Sequence, residues 1–249
     1  NLKEDLSKPF TFLMDASMLG VGVGFDTKGA ESMIVKGINK KRDAETFVIP
    51  DTREGWVEAT GLLIDSYFTG GAAMKFDYSS IRPAGEPIKG FGGVASGPEP
   101  LMEMHKDISE VLEKNTGEPL SITTIVDIQN LIGKCVVAGN VRRTAEIVFG
   151  DPFSQEYLDL KNYKVNPHRD QFGWTSNNSI FAELGMDYHD ACNRITDNGE
   201  PGFAWLDNMK AYARMKNGRD WKDHRVAGGN PCLEQSLESY ELCCLVETF

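Results

Sequence analysis

The chain has no uninterrupted apolar run of roughly 18 residues, the length a membrane-crossing helix needs, so no membrane association is expected. It shows no secretory leader pattern either, since it opens on the polar stretch Asn1-Leu2-Lys3-Glu4-Asp5-Leu6. Basic residues are outnumbered, 26 Lys and Arg against 37 Asp and Glu, for a formal net charge of −11. That balance argues against direct nucleic-acid binding, which needs a basic surface to neutralise phosphates. It leaves nucleotide binding open, because a local pocket can hold phosphates within an acidic protein. Cysteine is sparse: five residues at irregular spacing do not make a secreted disulfide framework. A reducing compartment, the cytoplasm, is therefore expected. No CxxC or HxxxH pair exists, which weighs against a metal site drawn from Cys232, Cys243, Cys244 and His224. There is no internal repeat and no low-complexity linker.

What is present is an ordinary globular composition, 41% hydrophobic and 25% charged over 249 residues, enough for one large α/β domain or two small ones. Short apolar segments alternate with helical patterns, which points to an α/β fold. Strands are expected at 10–14, 20–25, 45–49, 74–78, 146–149, 203–206 and 243–248. Helices are expected at 53–68, 100–114 and 122–138, each with apolar residues at i, i+3/i+4 spacing, and Ser121 is a natural N-cap for the third. A further helix is expected over 188–195. Cys135 and Cys192 fall on helical segments and read as core. Gly20-Val21-Gly22-Val23-Gly24 lacks the full GxGxxG spacing of a dinucleotide fingerprint. Close backbone approach to a ligand or a neighbouring strand is the better reading for these glycines. The chain starts without methionine and stops at Leu245-Val246-Glu247-Thr248-Phe249, which reads as an unfinished strand, so a piece of a longer protein is expected.

The chemistry concentrates in Asn230-Pro231-Cys232-Leu233-Glu234, followed by Cys243-Cys244. A thiol two residues from both an amide and a carboxylate combines a hydrogen-atom carrier, a hydrogen-bonding group and a base. Paired glycines and a proline before Cys232 favour a loop over 227–232, and loops on a sheet commonly carry reactive residues. The segment Leu242–Val246 reads as a buried strand, on which Cys243 and Cys244 face opposite sides. Alternation alone does not choose which of the two faces the loop.

Taken with motifs spread along the chain, this segment resembles the catalytic chain of ribonucleotide reductases. The likeness is greatest to the monomeric, adenosylcobalamin-dependent (class II) triphosphate reductases. The motifs are Pro9-Phe10-Thr11-Phe12-Leu13, Gly22-Val23-Gly24-Phe25, Pro50-Asp51-Thr52-Arg53-Glu54-Gly55-Trp56, Ile81-Arg82-Pro83 and Gly90-Phe91-Gly92-Gly93-Val94-Ala95-Ser96-Gly97-Pro98. Further along come Val137-Ala138-Gly139-Asn140-Val141-Arg142-Arg143, Ser176-Asn177-Asn178-Ser179, Asn198-Gly199-Glu200-Pro201-Gly202 and the Asn-Pro-Cys-x-Glu motif.

The resemblance implies a partial ten-stranded α/β barrel with a central finger loop. Residues 1–249 would be a first-half portion of the catalytic barrel, and about 7–50 an effector-binding-like region. It implies Cys232 as the thiyl-radical residue, Glu234 as general base for the 3′-hydroxyl and Asn230 as the holder of the sugar hydroxyls. Cys243 would be one half of the reducing thiol pair. Gly22 and Gly24 would border the substrate, while Asp15, Arg142 and Arg143 would couple an effector site to it. The two arginines also follow a helix end, where a favourable dipole interaction is a competing reading.

Adenosylcobalamin, a ribonucleotide substrate, a deoxynucleotide effector and a thioredoxin-like reductant are the implied cofactor and partners. Two departures stand out: Leu233 occupies the place of the glycine usual in class II, and Val21 interrupts the expected glycine run. The partner of Cys243 is expected before Asn1, and the cobalamin-facing and phosphate-binding parts after Phe249, so this chain alone is expected to be inactive. A reductase with another radical source, as Leu233 suggests, and a non-catalytic nucleotide-binding relative are the alternatives.

Overall fold

The computed structural model describes residues 5–88, 92–138, 144–212 and 218–242. In chain order the elements are α1 (Lys8–Met18), β1 (Val23–Asp26), β2 (Glu45–Val48), α2 (Arg53–Thr69), β3 (Met74–Asp77), α3 (Glu99–Lys114) and α4 (Ile122–Val137). They continue with β4 (Glu146–Gly150), α5 (Gln155–Leu158), β5 (Ser176–Phe181), α6 (His189–Asn198), β6 (Gly202–Ala204), α7 (Leu206–Ala211), β7 (Gly228–Gly229) and β8 (Ser236–Leu237). The chain divides into two compact units. One comprises 1–21 and 29–145, the other 22–28 and 146–249. Among the described residues, no helix is long and apolar enough to cross a membrane.

In the first unit the expected strand at 10–14 is instead part of helix α1. The reason is periodicity: Phe10, Leu13, Met14, Ser17 and Met18 are all buried, an i, i+3, i+4, i+7, i+8 pattern that forms one helical face. A short apolar run is ambiguous between the two periods, and here packing against α2 and α4 decides it. Gly20, at φ +84°, closes the helix by donating to the Ser17 carbonyl at 2.9 Å, so β1 begins only at Val23. Helix α2 follows its expectation. Thr52 caps it by accepting the Gly55 N–H, and Gly70 ends it in the left-handed region. The expected strands at 45–49 and 74–78 are β2 and β3, which pair in parallel on either side of α2. Helices α3 and α4 lie as expected, and the Ser121 hydroxyl accepts the Thr124 N–H at 3.0 Å.

The second unit is built on a four-stranded parallel sheet in the order β1-β4-β5-β6. All five residues of β4 are buried, as a central parallel strand requires. Strand β5 went unread in the sequence because Ser176-Asn177-Asn178-Ser179 is polar, yet Ser176, Asn178 and Ser179 are buried. The Tyr157 hydroxyl helps satisfy this polar layer, lying 2.7 Å from the Val148 carbonyl and 2.6 Å from that of Ser179. The expected strand at 203–206 is confined to β6, and Leu206 opens α7 instead. Cys135 is core, but Cys192 is exposed: α6 buries only Ala191 and turns the cysteine to solvent. The expected strand at 243–248 lies outside the described residues.

His105, 4% exposed on α3, gives the first unit a measurable pH response. Its ring nitrogens face the Tyr78 hydroxyl at 2.8 Å and the Thr60 hydroxyl at 3.3 Å, and burial pushes its pKa down to about 3. The unfolded chain, with a histidine near 6.5, therefore binds one more proton than the folded chain between those values. Stability from this group is complete above about pH 6.5 and falls on acidification by up to about 1.4 kcal/mol per pH unit. Urea unfolding at pH 7, 6 and 5.5 is expected to show this loss, and His105→Gln to flatten it. An unchanged slope in the variant contradicts the assignment.

Candidate active site

Strands β7 and β8 pair antiparallel, Gly228 with Leu237 and Gly229 with Ser236, leaving residues 230–235 as the connecting loop. The paired glycines thus form a short strand, whereas the sequence suggested loop throughout 227–232. Two glycines let this hairpin lie directly on the sheet. A Cβ on Gly24 of β1 would sit 2.1 Å from the Gly229 carbonyl oxygen, and one on Gly228 would touch the Phe149 ring at 3.0 Å. Close approach to a neighbouring strand is therefore what Gly24 provides. Gly22 precedes β1 in the same unit.

Within the loop, Asn230 organises the turn. Its backbone carbonyl accepts the Leu233 N–H at 2.8 Å, closing a turn with Pro231 and Cys232 at the centre. Pro231 suits this position because its ring fixes φ where the turn needs it. Asn230 is 8% exposed, and its side chain is hydrogen-bonded at both ends. Its Oδ1 accepts the Gln235 N–H at 3.0 Å, and its Nδ2 donates to Glu234 Oε1 at 2.5 Å. Cys232 and Glu234 are both exposed. Among the described residues, Glu234 Oε2 takes no hydrogen bond, so one carboxylate oxygen is free to accept from a ligand while the other is held.

The hairpin thus brings Asn230, Cys232 and Glu234 together, with Gly24 beneath its first strand. Asp15 lies in the other unit, on α1, in an ion pair with Arg53. Cys243, Arg142 and Arg143 lie outside the described residues. Two contacts to the loop had no role in the sequence reading. Asn177 of β5 donates from Nδ2 to the Pro231 carbonyl at 3.1 Å, and Leu233 packs against the buried cluster of Ile147, Phe149 and Ala204. Asn177 was visible only as part of the Ser-Asn-Asn-Ser motif, and Leu233 only as a departure from a glycine.

Comparison with known proteins gives this geometry its context. A family model for the insertion domain of B12-dependent ribonucleotide reductase matches residues 27–112. A Dictyostelium discoideum protein named "Probable adenosylcobalamin-dependent ribonucleoside-triphosphate reductase" is 62% identical, over 100% of this chain and 35% of its own length. An adenosylcobalamin-dependent ribonucleoside-triphosphate reductase of Euglena gracilis is 59% identical, over 100% of this chain and 34% of its own. A crystal structure of a B12-dependent (class II) ribonucleotide reductase superposes with a TM-score of 0.81 at 35% identity, covering 96% of this chain and 38% of that one. The chain spans about a third of the length of the curated relatives it matches.

The seat of the hairpin is open to test. Gly24→Ala places a methyl group against a backbone carbonyl that cannot rotate away, an overpacking expected to cost about 1–3 kcal/mol. Urea unfolding should show that loss, and hydrogen exchange across residues 228–237 should quicken. Unchanged exchange there contradicts the close contact.

Proposed function

We propose, from the premise that this chain is a segment of an adenosylcobalamin-dependent ribonucleotide reductase, that it carries the radical-bearing hairpin of that enzyme. Residues 1–249 form a first-half portion of the catalytic barrel, and β7–β8 with its loop is the finger at its centre. The reaction is reduction of ribonucleotides, with triphosphates favoured by the names of the relatives, to 2′-deoxyribonucleotides. The observation that carries this reading is the hairpin itself. Cys232 is exposed at the turn, while Asn230 and Glu234 share a 2.5 Å hydrogen bond beside it.

Adenosylcobalamin, when bound, supplies the radical that makes Cys232 a hydrogen-atom acceptor. An exposed thiol at a turn, unblocked by its own hairpin, fits that demand, and Cys232 is the residue of this chain that would face the cofactor. The remaining steps belong to the protein. The Cys232 thiyl radical takes the 3′ hydrogen of the ribose. Glu234 accepts the 3′-hydroxyl proton through the oxygen that Asn230 leaves free. Asn230 holds that carboxylate in place and keeps one amide hydrogen for a sugar hydroxyl. The 2′ hydroxyl then leaves as water on a proton from the Cys243 thiol pair, whose second hydrogen goes to C2′. After that Glu234 returns its proton to the 3′ oxygen and Cys232 its hydrogen atom to C3′, restoring the thiyl radical. Cys243, paired with a cysteine elsewhere in the enzyme, gives up two electrons and closes to a disulfide, which a thioredoxin-like dithiol reopens by exchange.

Residues 7–50, overlapping the matched insertion domain, serve the deoxynucleotide effector. Asp15 ties this region to Arg53 at the start of α2, and Arg142 and Arg143 link effector to substrate. In support, a cavity of about 270 Å³ opens beside the C-terminal end of α1, bordered by Met18, Leu19 and Trp56 and by Arg53 and Arg82, which are ion-paired with Asp15 and Asp51. Gly22 and Gly24 lie on the substrate side in this reading, Gly24 through the close seat it gives the hairpin.

In the complete reductase supplied with adenosylcobalamin and a dithiol, Cys232→Ala is expected to abolish deoxynucleotide formation. Glu234→Gln is expected to lower kcat about 100-fold to 10,000-fold, the usual worth of a general base. Product formation by Cys232→Ala at the parent rate contradicts the reading. For the effector region, Arg82→Ala should weaken deoxynucleotide binding about tenfold by equilibrium dialysis without changing dithiol-dependent turnover in the absence of effector. Unchanged binding contradicts the placement.

A further inference from the structure

Cys232 is flanked by two residues that are each tied to the sheet by a different contact. On one side, the carbonyl of Pro231 accepts the Asn177 side-chain N–H at 3.1 Å, across 54 residues of sequence. On the other, Leu233 packs on Ile147, Phe149 and Ala204, and its Cδ1 would be 3.0 Å from a Cβ on Gly229. Leu233 holds φ at +60°, a conformation glycine takes freely and a side-chain-bearing residue does not. Its apolar contact must therefore offset the conformational penalty.

These two ties do what the hairpin cannot do for itself. Its ladder is only two residue pairs long, and so short a hairpin is not rigid alone. The Asn230 bonds to Glu234 and Gln235 join the loop to itself rather than to the sheet. The Gly24 and Gly228 contacts seat only the base. Asn177 on β5 and the β4 side chains beneath Leu233 reach the turn at the positions immediately before and after the thiol.

We infer that Asn177 and Leu233 are positioning residues that jointly fix the height and direction of the Cys232 thiol above the parallel sheet. The inference rests on the reading of Cys232 as the radical residue. A hydrogen-atom transfer is steeply sensitive to placement, and a misplacement of about 1 Å can cost on the order of 100-fold in rate.

The test uses the complete reductase, with Asn177→Asp, Leu233→Ala and Leu233→Met beside Cys232→Ala. Asn177→Asp keeps the side-chain shape but removes the donor, and because the residue is exposed the variant should fold as the parent does. Two readouts are taken: kcat and KM for the ribonucleotide, and the rate at which iodoacetamide alkylates Cys232 in enzyme without substrate, resolved by peptide mass spectrometry.

The expected result is a fall in kcat of about tenfold to 100-fold in Asn177→Asp and Leu233→Ala, with KM within about twofold. Cys232 alkylation should change severalfold in both, and Leu233→Met should recover kcat to within about threefold of the parent. Folded Asn177→Asp enzyme with kcat and alkylation rate both within about twofold of the parent overturns the inference, as does an effect confined to KM. Turnover by Cys232→Ala would instead overturn the underlying reading of the site, while the alkylation rates still decide whether Asn177 and Leu233 position the thiol.

Discussion

The contact on which the second unit depends is the one between two backbones with no side chain between them. Gly24 of β1 lies against the Gly229 carbonyl of β7, at a distance no Cβ could share. Because the hairpin rests directly on the sheet, the turn that follows has a defined origin. The bonds of Asn230, the donation from Asn177 and the packing of Leu233 can then each act over normal distances. A larger residue at position 24 or 228 would lift the hairpin and weaken all of them together.

The sheet contributes more than a floor. Parallel strands are buried on both faces, so their residues are held by packing rather than by local sequence preference. Strand β5 uses this to keep polar residues inside: Tyr157 bridges its carbonyl edge to that of β4, and Ser176 donates to Asn178. Asn177, the exposed residue between buried neighbours, is thereby left pointing away from its own strand's core at a fixed place. A flexible residue could not serve as an anchor for the turn. The chain is similar along its whole length to about a third of the length of reductases named as adenosylcobalamin-dependent, and the proposed radical chemistry would ask a scaffold for placement more than for new reactive groups.

How much of this could be read from sequence follows from how far apart the cooperating residues are. Asn230, Cys232 and Glu234 are spaced so that one turn gathers them, and their grouping was legible directly. The long helices α2, α3 and α4 were legible as well, because their apolar period persists over four turns. Helix α1 was not, since Phe10-Thr11-Phe12-Leu13-Met14 is a short apolar run whose period is settled only by the helices it packs against. Strand β5 was hidden by its polar residues, which only tertiary hydrogen bonds make tolerable in a sheet. The Asn177–Pro231 contact spans 54 residues and leaves no periodic trace. Leu233 could be noticed only as an oddity, because its left-handed backbone and its apolar contact are both consequences of the fold.

In the proposed function the sulfur of Cys232 carries the radical. That is tested by freeze-quenched electron paramagnetic resonance of the complete protein carrying this chain, mixed with ribonucleotide, adenosylcobalamin and a dithiol and prepared with ordinary and with β-deuterated cysteine. The expected result is a sulfur-centred signal whose hyperfine splitting collapses on deuteration and which is missing from Cys232→Ala. The same signal persisting in that variant would contradict it.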